Sequence, residues 1–246
     1  MTTASPERGP DILIVGPAEG DRPTVRRVLM LLAPVVALLA ALVFWRLQPA
    51  EPRVFTLPDL QGVYAGMVRS DGTNDASVID RSRVQEESGY VVPAACQPLF
   101  EATALNRVPT GALDGVGTFW AIGPSAVSLF SYRFPDVASA NGEYRRLSAA
   151  LGTCRNRHVE VHAQPAGTGT LAGTRDDPAG TAAAQLGYVV GTDDGTKLAV
   201  HVLAFSNTVS WQFRYEPTAG AYAPLTAQRV MDSLADQMRS VQELDR

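Results

Sequence analysis

Lysine is almost missing from this chain. Lys197 is the only one among 21 basic residues, the remainder being arginine. With abundant Ala and Gly, this usage points to a GC-rich genome and fits an actinobacterial source. Cysteine is nearly as scarce: Cys96 and Cys154 are the whole complement, and they form no C-x-x-C pair. A thioredoxin-like redox motif or a zinc knot built on paired cysteines is thereby excluded. A dominant charge is lacking too. The net charge is −4, and beyond Arg46 the chain holds 16 basic and 21 acidic groups with no basic stripe. Nucleic-acid binding needs a phosphate-neutralising surface, so that class falls away.

Catalytic signatures are equally thin. No G-x-S-x-G occurs, and Gly123-Pro124-Ser125 sits in a turn without a base. The glycines of 167–173 alternate with Thr and Ala and lack the Gly-Lys-Ser/Thr ending of a phosphate loop. The sequence implies no enzyme, cofactor or metal.

One long apolar run is present. Residues 28–45 (VLMLLAPVVALLAALVFW) carry no charge. At about 1.5 Å per residue they reach roughly 27 Å, enough for a thin hydrocarbon crossing. Arg26 and Arg27 precede the run, and Trp45 and Arg46 follow it, which predicts a cytoplasmic N-terminus. A cleaved signal peptide would have a shorter core and small residues before the cut. A lipoprotein would need a cysteine just after the run, and there is none. The expectation is a retained signal anchor in the cell membrane: cytoplasmic tail 1–27, single transmembrane span 28–45, proline-bearing linker 46–58, and an extracytoplasmic domain 59–246. On that oxidising side, two lone cysteines read as one structural disulfide.

Within the outer part, Cys96, Leu99, Phe100 and Thr103 fall at helical spacing after Pro93. Two strands, 117–122 and 126–134, are predicted around Gly123-Pro124-Ser125. In the second, Phe130, Tyr132 and Phe134 share one face, with Leu129, Ser131 and Arg133 on the other. Asp136 is a helix N-cap, and Val137, Ala140, Tyr144, Leu147 and Leu151 trace a buried stripe ending at Gly152-Thr153-Cys154. The disulfide would join the end of this helix to the start of the earlier one. A strand over 157–163 and an exposed loop over 165–180 are expected next. Strands at 182–191, 197–205 and 208–216 follow, then a helix over 225–244. Trp211, Phe213 and Tyr215 form a second one-sided aromatic row. This order predicts an α+β fold: an antiparallel sheet with helices packed mainly on one face.

Few residues invite chemistry. His158, Glu160 and His162 share a strand face, but alternate positions are ~6.6 Å apart, too far for one metal held at about 2 Å by all three. A solvated strand face is the reading. His201 lies in an apolar strand and reads as a packed core histidine. Asp176-Asp177 and Asp193-Asp194 stand where turns favour aspartate.

Pro93-Ala94-Ala95-Cys96, Ser131-Tyr132-Arg133-Phe134, Leu151-Gly152-Thr153-Cys154 and Trp211-Gln212-Phe213-Arg214-Tyr215, in this order and with the closing helix, cover most of 57–244. That arrangement resembles the PknH-like extracellular sensor domain of actinobacterial membrane Ser/Thr kinases and related envelope lipoproteins. The resemblance implies a central antiparallel sheet, flanking helices and a cleft for a ligand. It departs in lacking cysteines for a second disulfide and in having no kinase within the 27 residues before the span, so signalling would require a partner. The expected function is non-enzymatic: recognition of a small, lipid-like or cell-wall ligand, with Tyr132, Trp211 and Tyr215 at a cleft rim and Arg133 and Arg214 toward an anionic group. The alternative is a protein-interaction or scaffold subunit of an envelope complex.

Overall fold

The computed structural model describes residues 34, 36–39, 53–67, 76–79, 88–122, 125–163, 166–192, 195–216 and 224–243. The chain divides into two compact units, Met1–Glu51 and Pro52–Arg246. In the first, Pro34 and residues 36–39 are helical and exposed. The tail 1–27 and the rest of the 28–45 span lie outside the described residues. Among the described residues no helix is long and apolar enough to cross a membrane.

The second unit opens with α1, Leu57–Gly66. Thr56 caps it reciprocally: its hydroxyl accepts from the Asp59 amide, and Asp59 accepts from the Thr56 amide at 2.7 Å. The stretch 53–58, expected as linker, is built into the domain, and Phe55 is only 2% exposed. The physical reason lies in Pro58. In a first helical turn its missing N–H costs nothing, so this proline starts a helix where the reading had it stiffen a linker.

Nine strands follow: β1 Ser77–Ile79, β2 Tyr90–Val92, β3 Asp114–Ile122, β4 Ser125–Arg133, β5 His158–His162, β6 Gly167–Asp176, β7 Ala184–Thr192, β8 Lys197–Phe205 and β9 Thr208–Glu216. A 3-10 helix, Ala94–Phe100, precedes β3. Helix α2, Val137–Cys154, joins β4 to β5, and α3, Pro224–Glu243, follows β9. All nine strands form one antiparallel sheet in the order β1-β3-β4-β9-β8-β7-β6-β5-β2. The α+β class is as expected, and the paired lengths of β3, β4, β7, β8 and β9 follow the predicted strands closely.

Two expectations fail. The 165–180 loop is largely β6. Its pattern is polar and glycine-rich because the strand exposes one face, while Leu171 is fully buried on the other. Gly169 answers a steric demand, since a Cβ there would collide with the carbonyl of Gly191 on β7. Nor do the helices gather on one face. On the front face, Tyr144, Leu147 and Leu151 of α2, with Leu99 and Phe100, pack against Tyr188, Val200, Val202 and Trp211. On the back face, Leu60 and Val63 of α1, with Met231, Leu234 and Met238 of α3, pack against Val127, Leu129, Leu203 and Phe205. The central strands call for this. In β8 every residue after Lys197 is buried, whichever face it points to, and a strand apolar on both faces needs cover on both.

With eight antiparallel pairings between them, the two edge strands β1 and β2 run in the same direction.

Candidate functional site

Cys96 and Cys154 are bonded, with Cα atoms 5.8 Å apart. The disulfide fastens the 3-10 helix to the C-terminal end of α2, both on the front face. Arg146 strengthens the same junction, bonding Glu143 within α2 at 2.8 Å and Glu101 beyond the 3-10 helix at 2.7 Å. Asp136 caps the other end of α2 by accepting from the Ser139 amide at 2.7 Å. The disulfide and Arg146 therefore fasten the C-terminal half of α2 to the 3-10 helix, while Asp136 only caps its first turn.

That exposed side borders an open cleft of 380 Å³. Arg145, Ser148 and Ala149 of α2 form one wall, and residues 176–179, the turn after β6, form the other. The two aspartates of this turn have different partners. Asp177 turns inward: its Oδ2 accepts from Arg175 Nε and Nη2 at 2.9 and 2.7 Å and from the Gln185 amide at 3.2 Å. Gln185 continues to Asp232 of α3 at 3.1 Å, and Gln228 meets the same carboxylate at 2.9 Å. This network ties the turn to β7 and α3. Asp176 faces α2, where Ser148 Oγ donates to it at 2.7 Å. Among the described residues no cation pairs with Asp176, and none of the carboxylates pairs with Arg145. Tyr144 donates its hydroxyl to the Asp177 carbonyl at 3.0 Å. Its pKa is pushed far up, first by burial and then by the charges of Asp176 and Asp177. The field at this end of α2 is thus negative, only partly offset by Arg175.

The five residues expected to bind ligand lie elsewhere. Tyr132 and Trp211 meet edge-to-face with centroids 5.6 Å apart, at 3% and 1% exposure, inside the front core. Burial pushes the Tyr132 phenol up to about 12. Tyr215 packs at the margin of that core. Arg133 and Arg214 project from the back face, as alternation required. Arg133 holds Asp114 through two nitrogens, Nε bonding at 2.9 Å. Arg214 Nε lies 2.7 Å from Glu216 Oε1, near enough for an ion pair, although the angle is too poor for a hydrogen bond. Neither guanidinium is left for an outside anion without giving up its carboxylate. None of the five lines the α2 cleft.

The histidines fall as the alternation predicted. His158 and His162 are exposed on the back of β5, and His162 stacks on Tyr90 at 4.3 Å and meets Glu160 at 3.3 Å. Among the described residues no three His, Cys, Asp or Glu side chains are placed to hold one metal ion. His201 is buried on the back of β8, 5% exposed. Its pKa is lowered to about 4, by burial first and then by Arg175.

Two residues carry no signal in the sequence. Arg145 lies on the exposed side of α2, opposite the buried stripe. Asn207, in the two-residue turn between β8 and β9, is fully buried, accepting from the Phe55 amide at 2.7 Å and donating to the carbonyls of Phe55 and Phe134 at 3.2 and 2.8 Å.

A nine-stranded antiparallel sheet with helices on both faces and a disulfide across the front pair defines the class of domain. No family model matches the chain, and no curated protein does. Among solved structures the chain is similar to the extracellular domain of PknH from Mycobacterium tuberculosis. The TM-score is 0.50 at 12% identity, over 78% of this chain and 97% of that one. It is also similar to an uncharacterized protein from Mycobacterium smegmatis, with a TM-score of 0.42 at 16% identity, over 76% of this chain and 100% of that one. At such identities the first likeness is one of fold.

Proposed function

We propose that this chain is a membrane-anchored, extracytoplasmic, sensor-like binding module that performs no chemistry of its own. The observation that carries the reading is the fold: the chain reproduces nearly the full length of an extracellular domain from a mycobacterial kinase. The disulfide supports it, because such a bond persists in an oxidising compartment. The anchor rests on the apolar run 28–45. The test is fractionation of cells producing the full chain. The protein should stay in the membrane pellet after alkaline carbonate washing, and protease added outside intact spheroplasts should degrade the domain. A carbonate-soluble chain, or one protected until lysis, would sink this reading.

A second reading, an interaction or scaffold subunit of an envelope complex, is favoured by one feature. The aromatic rows are packed solid, and a lipid-like or cell-wall ligand at Tyr132, Trp211 and Tyr215 would have to part α2 from the sheet. With the disulfide and the Arg146 pairs holding α2 down, that opening is costly.

A further inference from the structure

We propose that the cleft between α2 and the turn 176–179 binds a small zwitterion, its ammonium group on Asp176 and its anionic end on Arg145. The inference rests on the binding-module reading and gives that module a place and a ligand class. Three observations converge. The cleft volume of 380 Å³ lies in the range of small-molecule sites. Among the described residues its two walls carry one charge of each sign without an ion-pair partner, Arg145 and Asp176, the latter bonded by Ser148; Asp177 is held by Arg175 and Gln185, and Arg146 by Glu101 and Glu143. The third is the pair of adjacent carboxylates in this wall: of the two, Arg175 bonds only Asp177, which leaves the Asp176 end suited to a cation.

Arg145 and Ser148 are three residues apart on one helix, so their Cβ atoms are ~5–6 Å apart, and Ser148 Oγ donates to Asp176 at 2.7 Å. Both charges therefore front one cleft, within reach of a single small molecule. Ala149, Pro178 and Ala179 add a small apolar lining. A dipeptide, with its charged ends two residues apart at about 3.3–3.6 Å per residue, is the probe of that class.

The experiment uses the full chain in detergent micelles, labelled with 15N-alanine, so that the amides of Ala149 and Ala179 report from opposite walls. Glycylglycine should move both signals saturably, with a Kd on the order of millimolar. Glycine and ethylamine should move them less, and acetate alone hardly at all. Asp176→Asn keeps the side chain's shape and Arg145→Gln alters an exposed residue, so both variants should fold, as their unfolding midpoints will verify. Each should weaken glycylglycine about tenfold or more, as expected for losing a charge-assisted contact. If neither signal moves with glycylglycine, or if both variants respond as the parent does, the site is overturned. Fractionation of the parent chain would still decide the wider reading independently.

Discussion

His201 is the residue whose protonation bears most directly on stability. Unfolded, its imidazole titrates near 6.5; folded, near 4, because burial and Arg175 oppose the charged form. The folded state therefore binds fewer protons between these values, and stability is present above pH 6.5 and lost as pH falls toward 4. The loss from this residue is at most ~3 kcal/mol, taking 1.36 kcal/mol per pKa unit. Denaturant unfolding between pH 7 and 4.5 should show that decline, and His201→Gln should flatten it. An unchanged slope in the variant would show that other groups carry the acid sensitivity. Asn207 makes a second residue-scale case. Asn207→Ala strips three hydrogen bonds from a site with no solvent, leaving the Phe55 amide and two carbonyls unpaired. A loss of about 2–4 kcal/mol is expected from unsatisfied buried groups, read as a fall in denaturation midpoint. A drop below ~1 kcal/mol would mean the strap before α1 contributes little. Neither residue announced its importance. A histidine in an apolar strand and an asparagine in a two-residue turn are ordinary in sequence, and their weight comes from what the fold places around them.

At the scale of elements, α2 is the part most firmly determined from both directions. Its cap, stripe and terminating cysteine were legible because 3.6-residue periodicity is a local property. The partner of that cysteine was legible only because no other cysteine exists. Closing a 58-residue separation stabilises by about 4 kcal/mol in the chain-entropy account. Cys96→Ser with Cys154→Ser should lower the denaturation midpoint by that order. A shift within error would show that packing against Leu99, Phe100 and Leu147 already fixes α2. The strand β6 went unread because alternation shows only when one face is apolar and the other polar. Here the inner face is Gly167, Gly169, Leu171 and Gly173 and the outer Thr168, Thr170, Ala172 and Thr174, so Leu171 is the single large apolar residue to mark it.

For the second unit as a whole, the decisive feature is the two-sided cover of one nine-stranded sheet. The front helices are locked to each other by a disulfide. The strap 53–56 before α1 is held by Ser206 of the β8–β9 turn and Gln242 of α3, which donate to the Arg53 carbonyl at 2.6 and 3.1 Å. The point where the domain meets its predicted tether is thus joined to the β8–β9 turn at the centre of the sheet. Limited proteolysis of the full chain should cut before residue 53 and spare 53–56, whereas Asn207→Ala should extend cleavage into the strap. Protection unchanged in that variant would indicate that Ser206 and Gln242 hold the strap alone.

The sequence by itself determined the single disulfide, the amphipathic helices and most strand boundaries. All of these follow from runs, counts and short periods along the chain. Which face each helix covers, the pairing of β1 and β2 to opposite edges, and the placing of Arg145 and Asp176 on the two walls of one cleft were decided only by the tertiary structure. The reason is distance along the chain: Arg145 and Asp176 lie 31 positions apart, on elements each of which is locally unremarkable. The cleft exists because the fold sets the exposed side of α2, fastened to the 3-10 helix by the disulfide, beside the turn that closes β6.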